Sequence, residues 1–193
     1  MLSIITVAAS ALALVGLSYG SDVPNKLSDI TWSLPINPAD DSSATVSFTG
    51  TIEQAVAKME ADYPGWNATF LAQDPISNTI GDTKSGNPVR HDCNVPGEEA
   101  AIAFNIEAGI SYLRRVSGTA KNGPGPLNCG RVSCSYNSGI VWCNNDNVEK
   151  EVQWSQIADG AQYVLDNCGT SQLVKGQVDY DDNWSVSVHK DWC

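Results

Sequence analysis

Arg131-Val-Ser-Cys-Ser-Tyr-Asn-Ser-Gly-Ile-Val-Trp-Cys-Asn144 holds two β-prone runs joined across Asn137-Ser138-Gly139. Strands flanking a short polar turn with glycine are the pattern of an antiparallel hairpin. A two-residue turn at Ser138-Gly139 places Cys134 opposite Cys143. A slip of one residue moves the two to opposite faces, so that bridge is only one option.

C-terminal to the hairpin, Ser155 is a plausible N-cap for a helix. Ile157, Ala161, Val164, Leu165 and Cys168 then recur at i, i+4, i+7, i+8 and i+11, the spacing of one helical face. Two strands follow, Leu173 to Tyr180 and Trp184 to His189, on either side of an Asp181-Asp182 turn. In the second, Trp184, Val186 and Val188 point one way, and Ser185, Ser187 and His189 the other.

On the N-terminal side, Pro96-Gly-Glu-Glu99 is expected to open a helix, its acids at the positive end of the dipole and Arg114 and Arg115 at the negative end. Ile102, Ile106, Ile110 and Leu113 form its apolar stripe, and Gly118 supplies the stop. Lys121 to Pro126 reads as a turn-rich loop. From about residue 89 the order is strand, helix, strand, strand, helix, strand, with one further strand. The expected fold is α+β: a two-layer sandwich with an antiparallel sheet and two helices on one face, split βαβ-like, over residues 89–193.

Residues 21–88 form an N-terminal extension without cysteine, either a separate lobe or a cover over the other half. Residues 21 to about 50 read as extended, with a short strand near Ala44 to Phe48. Thr51-Ile-Glu-Gln54 is a capping box opening a helix whose stripe is Ile52, Ala55, Val56 and Met59, stopped by Tyr63-Pro64-Gly65. Asn67 to Asn87 reads as loop. Residues 1–20 are apolar and uncharged, of signal-peptide length, with small Ser18 and Gly20 before a cut at Ser21. No other apolar segment is long enough to span a bilayer.

All six cysteines, Cys93, Cys129, Cys134, Cys143, Cys168 and Cys193, fall in the second half. An even count behind a leader reads as three disulfides outside the cell, with fifteen pairings open. The spacings contain no C-x-x-C, so no metal or other cofactor is expected. A net charge of −11 argues against nucleic acid and anionic lipid and leaves a protein or glycan partner. Asn67 and Asn183 are glycosylation acceptors in form.

The chemistry-bearing residues are few. Nucleophilic catalysis by serine needs a histidine base, and the chain has only His91 and His189. Carboxylates are plentiful, but chain spacing does not bring two of them to one glycosidic bond. Asp179-Tyr-Asp181-Asp182-Asn183 gathers oxygen ligands, yet it lacks the glycine and terminal glutamate of an EF-hand loop. Among six tryptophans, Trp32, Trp66 and Trp192 sit in the least regular surroundings, so these are the expected exposed aromatics, able to stack on sugars.

Asn122-Gly-Pro-Gly-Pro-Leu-Asn-Cys-Gly-Arg-Val-Ser-Cys-Ser-Tyr-Asn-Ser-Gly-Ile-Val-Trp-Cys-Asn144 resembles fungal small secreted proteins. So do Ile157-Ala-Asp-Gly-Ala-Gln-Tyr-Val-Leu-Asp-Asn-Cys168, Gly176-Gln177 and Asn183-Trp-Ser-Val-Ser-Val188 before a terminal cysteine. The similarity, over about residues 90 to 193, is to extracellular necrosis-inducing effectors and, more distantly, to killer-toxin-like proteins. It implies a secreted, non-catalytic protein that binds a host or competitor target. The alternatives are a wall-associated glycan-binding protein and a small secreted hydrolase.

Overall fold

Ile30, Trp32 and Leu34 point inward with the period of two that a half-buried strand requires. The computed structural model describes residues 27–40, 42–76 and 86–193; the expected leader lies outside them. In chain order the elements begin with β1 (Thr31–Pro35), β2 (Thr45–Thr49), α1 (Ile52–Asp62) and α2 (Trp66–Leu71). Next come β3 (Pro88–Asp92), β4 (Ala101–Ile102), α3 (Ala103–Leu113), β5 (Thr119–Asn122), β6 (Asn128–Ser135) and β7 (Ser138–Asn144). The chain closes with β8 (Lys150–Gln153), α4 (Trp154–Cys168), β9 (Leu173–Val174), β10 (Gly176–Tyr180) and β11 (Trp184–Lys190). The fold is mixed α/β, with four helices, a five-stranded antiparallel sheet and three two-stranded sheets among the described residues.

The large sheet runs β3-β10-β11-β7-β6. Its middle is written in the strand alternation: Trp184, Val186 and Val188 are all buried. Helix α4 brings Gly160 close to Val186 and Tyr180, and α3 brings Gly109 against Ser133 and Ile140. Both approaches are too close for a side chain, which is why glycine stands at each.

The hairpin turns two residues earlier than expected. Tyr136 and Asn137 both adopt positive φ, 47° and 56°, the backbone of a type I′ turn. Ser138 and Gly139 belong to β7, and Cys134 pairs with Gly139, Cys129 with Cys143. The Cys134–Cys143 option is therefore corrected: the bridges are Cys93–Cys168, Cys129–Cys143 and Cys134–Cys193.

Two helix starts also differ. Pro96 to Glu99 is a turn, and α3 begins only at Ala103, because Ala101 and Ile102 pair with Val174 and Leu173. Helix α4 begins two residues early, with Gln153 rather than Ser155 at its cap; Gln156 Oε1 accepts from the Gln153 amide at 3.2 Å. The expected box at α1 holds, Gln54 Oε1 accepting from the Thr51 amide at 3.1 Å. Part of the expected loop after Gly118 is β5, paired with β8. Helix α2 occupies the start of the Asn67-to-Asn87 stretch.

The N-terminal residues share one apolar core with the stapled half. Trp32 is 0% exposed, stacks on Trp154 with ring centroids 3.9 Å apart, and donates through Nε1 to the Gly50 carbonyl at 2.7 Å. Trp66 is buried too, stacked on Phe70 and donating to the Pro35 carbonyl at 2.8 Å. Two of the three expected exposed aromatics are thus core residues, each with its polar edge satisfied. Glu53 of α1 accepts from Ser133 Oγ at 2.5 Å and from the Cys134 amide at 2.9 Å, tying α1 to β6.

Candidate functional site

The second set of β11 residues faces away from Val186. Register sets Ser187 level with Val141 on one side and Gln177 on the other, and Ser185 level with Cys143. This face carries a cleft of about 480 Å³, within the range that holds small organic ligands. Gln177, Ser187 and His189 form the polar floor, and Glu98 and Asp191 reach in from flanking segments. Leu27, Leu127, Val141 and the Cys129–Cys143 bridge form the apolar side.

Glu98 arrives because the turn that carries it is anchored to β11. The Lys190 amide donates to the Glu99 carbonyl at 2.8 Å, and Lys190 Nζ pairs with Glu99 Oε2 at 2.6 Å. Of the two acids expected to cap a helix, Glu99 holds this turn on the sheet. His189 Nδ1 then lies 3.4 Å from Glu98 Oε1. Glu98 Oε2 and His189 Nδ1 are both buried, and neither makes a hydrogen bond among the described residues. Burial pushes the Glu98 carboxyl above its ordinary value; His189 and Lys175 oppose the shift and Asp191 adds to it.

The neighbouring cations bond to other groups, although Arg131 Nε is buried without a partner among the described residues. Arg131 Nη1 pairs with Asp191 Oδ2 at 3.1 Å and donates to the Trp192 carbonyl at 2.5 Å. Lys175 Nζ donates to the main-chain carbonyl of Glu98 at 3.2 Å. Unpaired buried polar atoms cost free energy, and two of them, Glu98 Oε2 and His189 Nδ1, belong to residues that line this cleft.

His91 does not join this group. It sits level with Val178, on the opposite face of the sheet, with Nδ1 3.4 Å from the Tyr163 hydroxyl. No hydrogen bond joins Ser187 to His189 among the described residues, so a serine nucleophile is not assembled there.

The remaining candidates are scattered. Trp192 is 79% exposed, with Lys190 Nζ 5.9 Å from its ring centroid. Asn183 is exposed at a positive-φ turn position. Asn67 is half-buried in α2, its amide donating to Glu60 Oε2 at 2.8 Å. The carboxylates of the β10–β11 turn take protein partners: Asp179 with Arg90 at 2.9 Å, Asp181 with the Asn87 amide at 2.8 Å, and Asp182 with Lys150 at 3.6 Å. Among the described residues no cluster of three or more metal-ligating side chains forms.

Reasoning from the sequence named His189 but missed Glu98, Gln177 and Asp191. Gln177 carried a signal, since strand alternation puts it on the same face as Asp179. Glu98 and Asp191 carried none, because long-range contacts bring them in. Comparison with protein families, curated proteins and solved structures finds no match.

Proposed function

We propose that this chain is a secreted, disulfide-braced effector or toxin-like protein that binds a host or competitor target through the cleft. The carrying observation is the concave polar face itself, with Glu98 Oε2 and His189 Nδ1 buried and unbonded within it. Three disulfides, with no free cysteine among the described residues, fit an oxidising compartment. No helix among the described residues is long and apolar enough to cross a membrane. The frame is read as a two-layer, split βαβ-like sandwich. In its support, β7 and β10 both run antiparallel to the β11 between them, and α4 connects them. The fungal effector resemblance points to plant tissue and competing fungi as the systems to test.

Purified oxidised protein applied to either system should provoke a response or inhibit growth. That activity should vanish on reduction, and on filling the cleft with Ser187→Phe or, at the exposed rim, Leu127→Trp. Full activity in both folded cleft variants, or an inert wild type, would end the proposal. A second reading, glycan binding, is favoured by the exposed ring of Trp192 beside Lys190. A glycan array probed with wild type and Trp192→Ala tests it; binding insensitive to the substitution excludes it.

A further inference from the structure

We propose that the cleft receives a lysine or arginine side chain of a partner protein, the cationic head seated at Glu98 and the stem lying along Val141 and Leu127. This rests on the cleft being the binding site, and it specifies what enters.

The argument starts from hydrogen-bond accounting. An ionised carboxylate only accepts, and Glu98 Oε2 is buried without a donor. Of the cations nearby, Lys175 donates to the Glu98 main-chain carbonyl and Arg131 pairs with Asp191, and neither bonds Oε2. Of the side chains in the cleft, His189 is the one that approaches the carboxylate, from the Oε1 side at 3.4 Å. The group missing at Oε2 is a donor, and a charged donor gains most, because charge-assisted bonds are the strong ones in a sheltered site.

Shape narrows the class. Polar and apolar side chains line one cleft, Val141 standing level with Ser187, which suits a ligand with a charged tip on a methylene stem. Basic side chains have that form. A metal ion would leave the apolar wall unused, and a phosphate would meet two carboxylates, Glu98 and Asp191. Long-range charge agrees: a chain of net charge −11 attracts a basic partner and accelerates its arrival.

The experiment titrates isotope-labelled oxidised protein at neutral pH with blocked pentapeptides Ala-Ala-X-Ala-Ala, where X is lysine, arginine or norleucine. Norleucine keeps the stem and removes the charge. Amide shifts at Gln177, Ser187 and His189 should saturate with the lysine or arginine peptide, about tenfold or more tighter than with norleucine, as loss of a hydrogen bond to a charged group implies. Glu98→Gln should abolish the difference, while Lys150→Gln, away from the cleft, should not. Equal binding of all three peptides would overturn the cationic assignment and leave the cleft standing as an apolar site. No cleft shift with any peptide would also overturn it, and the cleft-filling variants then decide separately whether the cleft is used at all.

Discussion

Replacing Trp32 by alanine tests whether the cysteine-free N-terminal region and the stapled half are one cooperative body. The indole is fully buried, and removing a buried tryptophan side chain costs about 3–5 kcal/mol. Part of that loss is specific: the Gly50 carbonyl loses its 2.7 Å donor, worth about 1–3 kcal/mol if left unsatisfied. The stack on Trp154 contributes roughly 0.5–1.5 kcal/mol beyond area. Trp32→Phe keeps a ring and drops the donor, so it should cost about 1–3 kcal/mol. Urea unfolding of the oxidised protein, followed by far-ultraviolet circular dichroism and by fluorescence, gives the midpoints. One transition shared by both probes should move to lower urea in Trp32→Ala, and the Trp32→Phe/Trp154→Phe cycle should show coupling. Two separate transitions, with the second unmoved by Trp32→Ala, would refute a shared core.

The bridges close loops with sequence separations of 75, 14 and 59 residues. Chain entropy alone then ranks their loss at about 4.5, 3.0 and 4.2 kcal/mol. Paired Cys→Ala variants should therefore lose most stability at Cys93–Cys168 and Cys134–Cys193 and least at Cys129–Cys143; chemical denaturation reads the order, and the reverse order would overturn it. Gly160→Ala adds a Cβ 2.7 Å from Val186 Cγ2 and 3.0 Å from its Cβ, so the usual helical gain from alanine should become a loss of about 1–3 kcal/mol. Glu98 holds its proton more tightly folded than unfolded, through burial and Asp191 and against His189 and Lys175. Stability from this group is thus greatest at acid pH and falls as pH rises from the unfolded carboxyl value through the folded one. Glu98→Gln should flatten that fall and be the more stable form at neutral pH; an unchanged pH profile of the melting temperature would contradict this.

Local pattern was enough wherever neighbours in sequence decide the outcome. The α1 capping box, the α4 stripe and the Trp184-Val186-Val188 face are of that kind, since helix and strand periods are set within a few residues. The hairpin turn was misplaced because Gly139 looks like a turn glycine. Its smallness serves another contact: a Cβ there would come within 2.9 Å of Asp191 Cβ from the tail. Tyr136 instead takes the positive φ that non-glycine residues resist. The shift moves the partner of Cys143 from Cys134 to Cys129, so one long-range contact rewrites the disulfide map. Trp32 was legible and overlooked, for Ile30, Trp32 and Leu34 alternate in the plainest strand pattern of the lead-in.

The cleft was harder to see, for a physical reason. Ser185, Ser187 and His189 read as the polar side of the last strand, and period-two alternation says nothing about what stands above that side. Glu98 was assigned to a helix N-terminus, where an acid is favoured by the dipole. The β4–β9 pairing takes Ala101 and Ile102 out of the helix, and Lys190 captures Glu99. Residue 98 is thereby swung over the sheet beside His189 rather than into solvent. The energetic cost of burying its carboxyl is offset in part by His189 and Lys175, and among the described residues no donor reaches Oε2. Lys190 holds Glu99 by two contacts, and that anchor keeps the neighbouring Glu98 beside His189 with one buried oxygen unbonded among the described residues, an arrangement the proposed cationic ligand would complete.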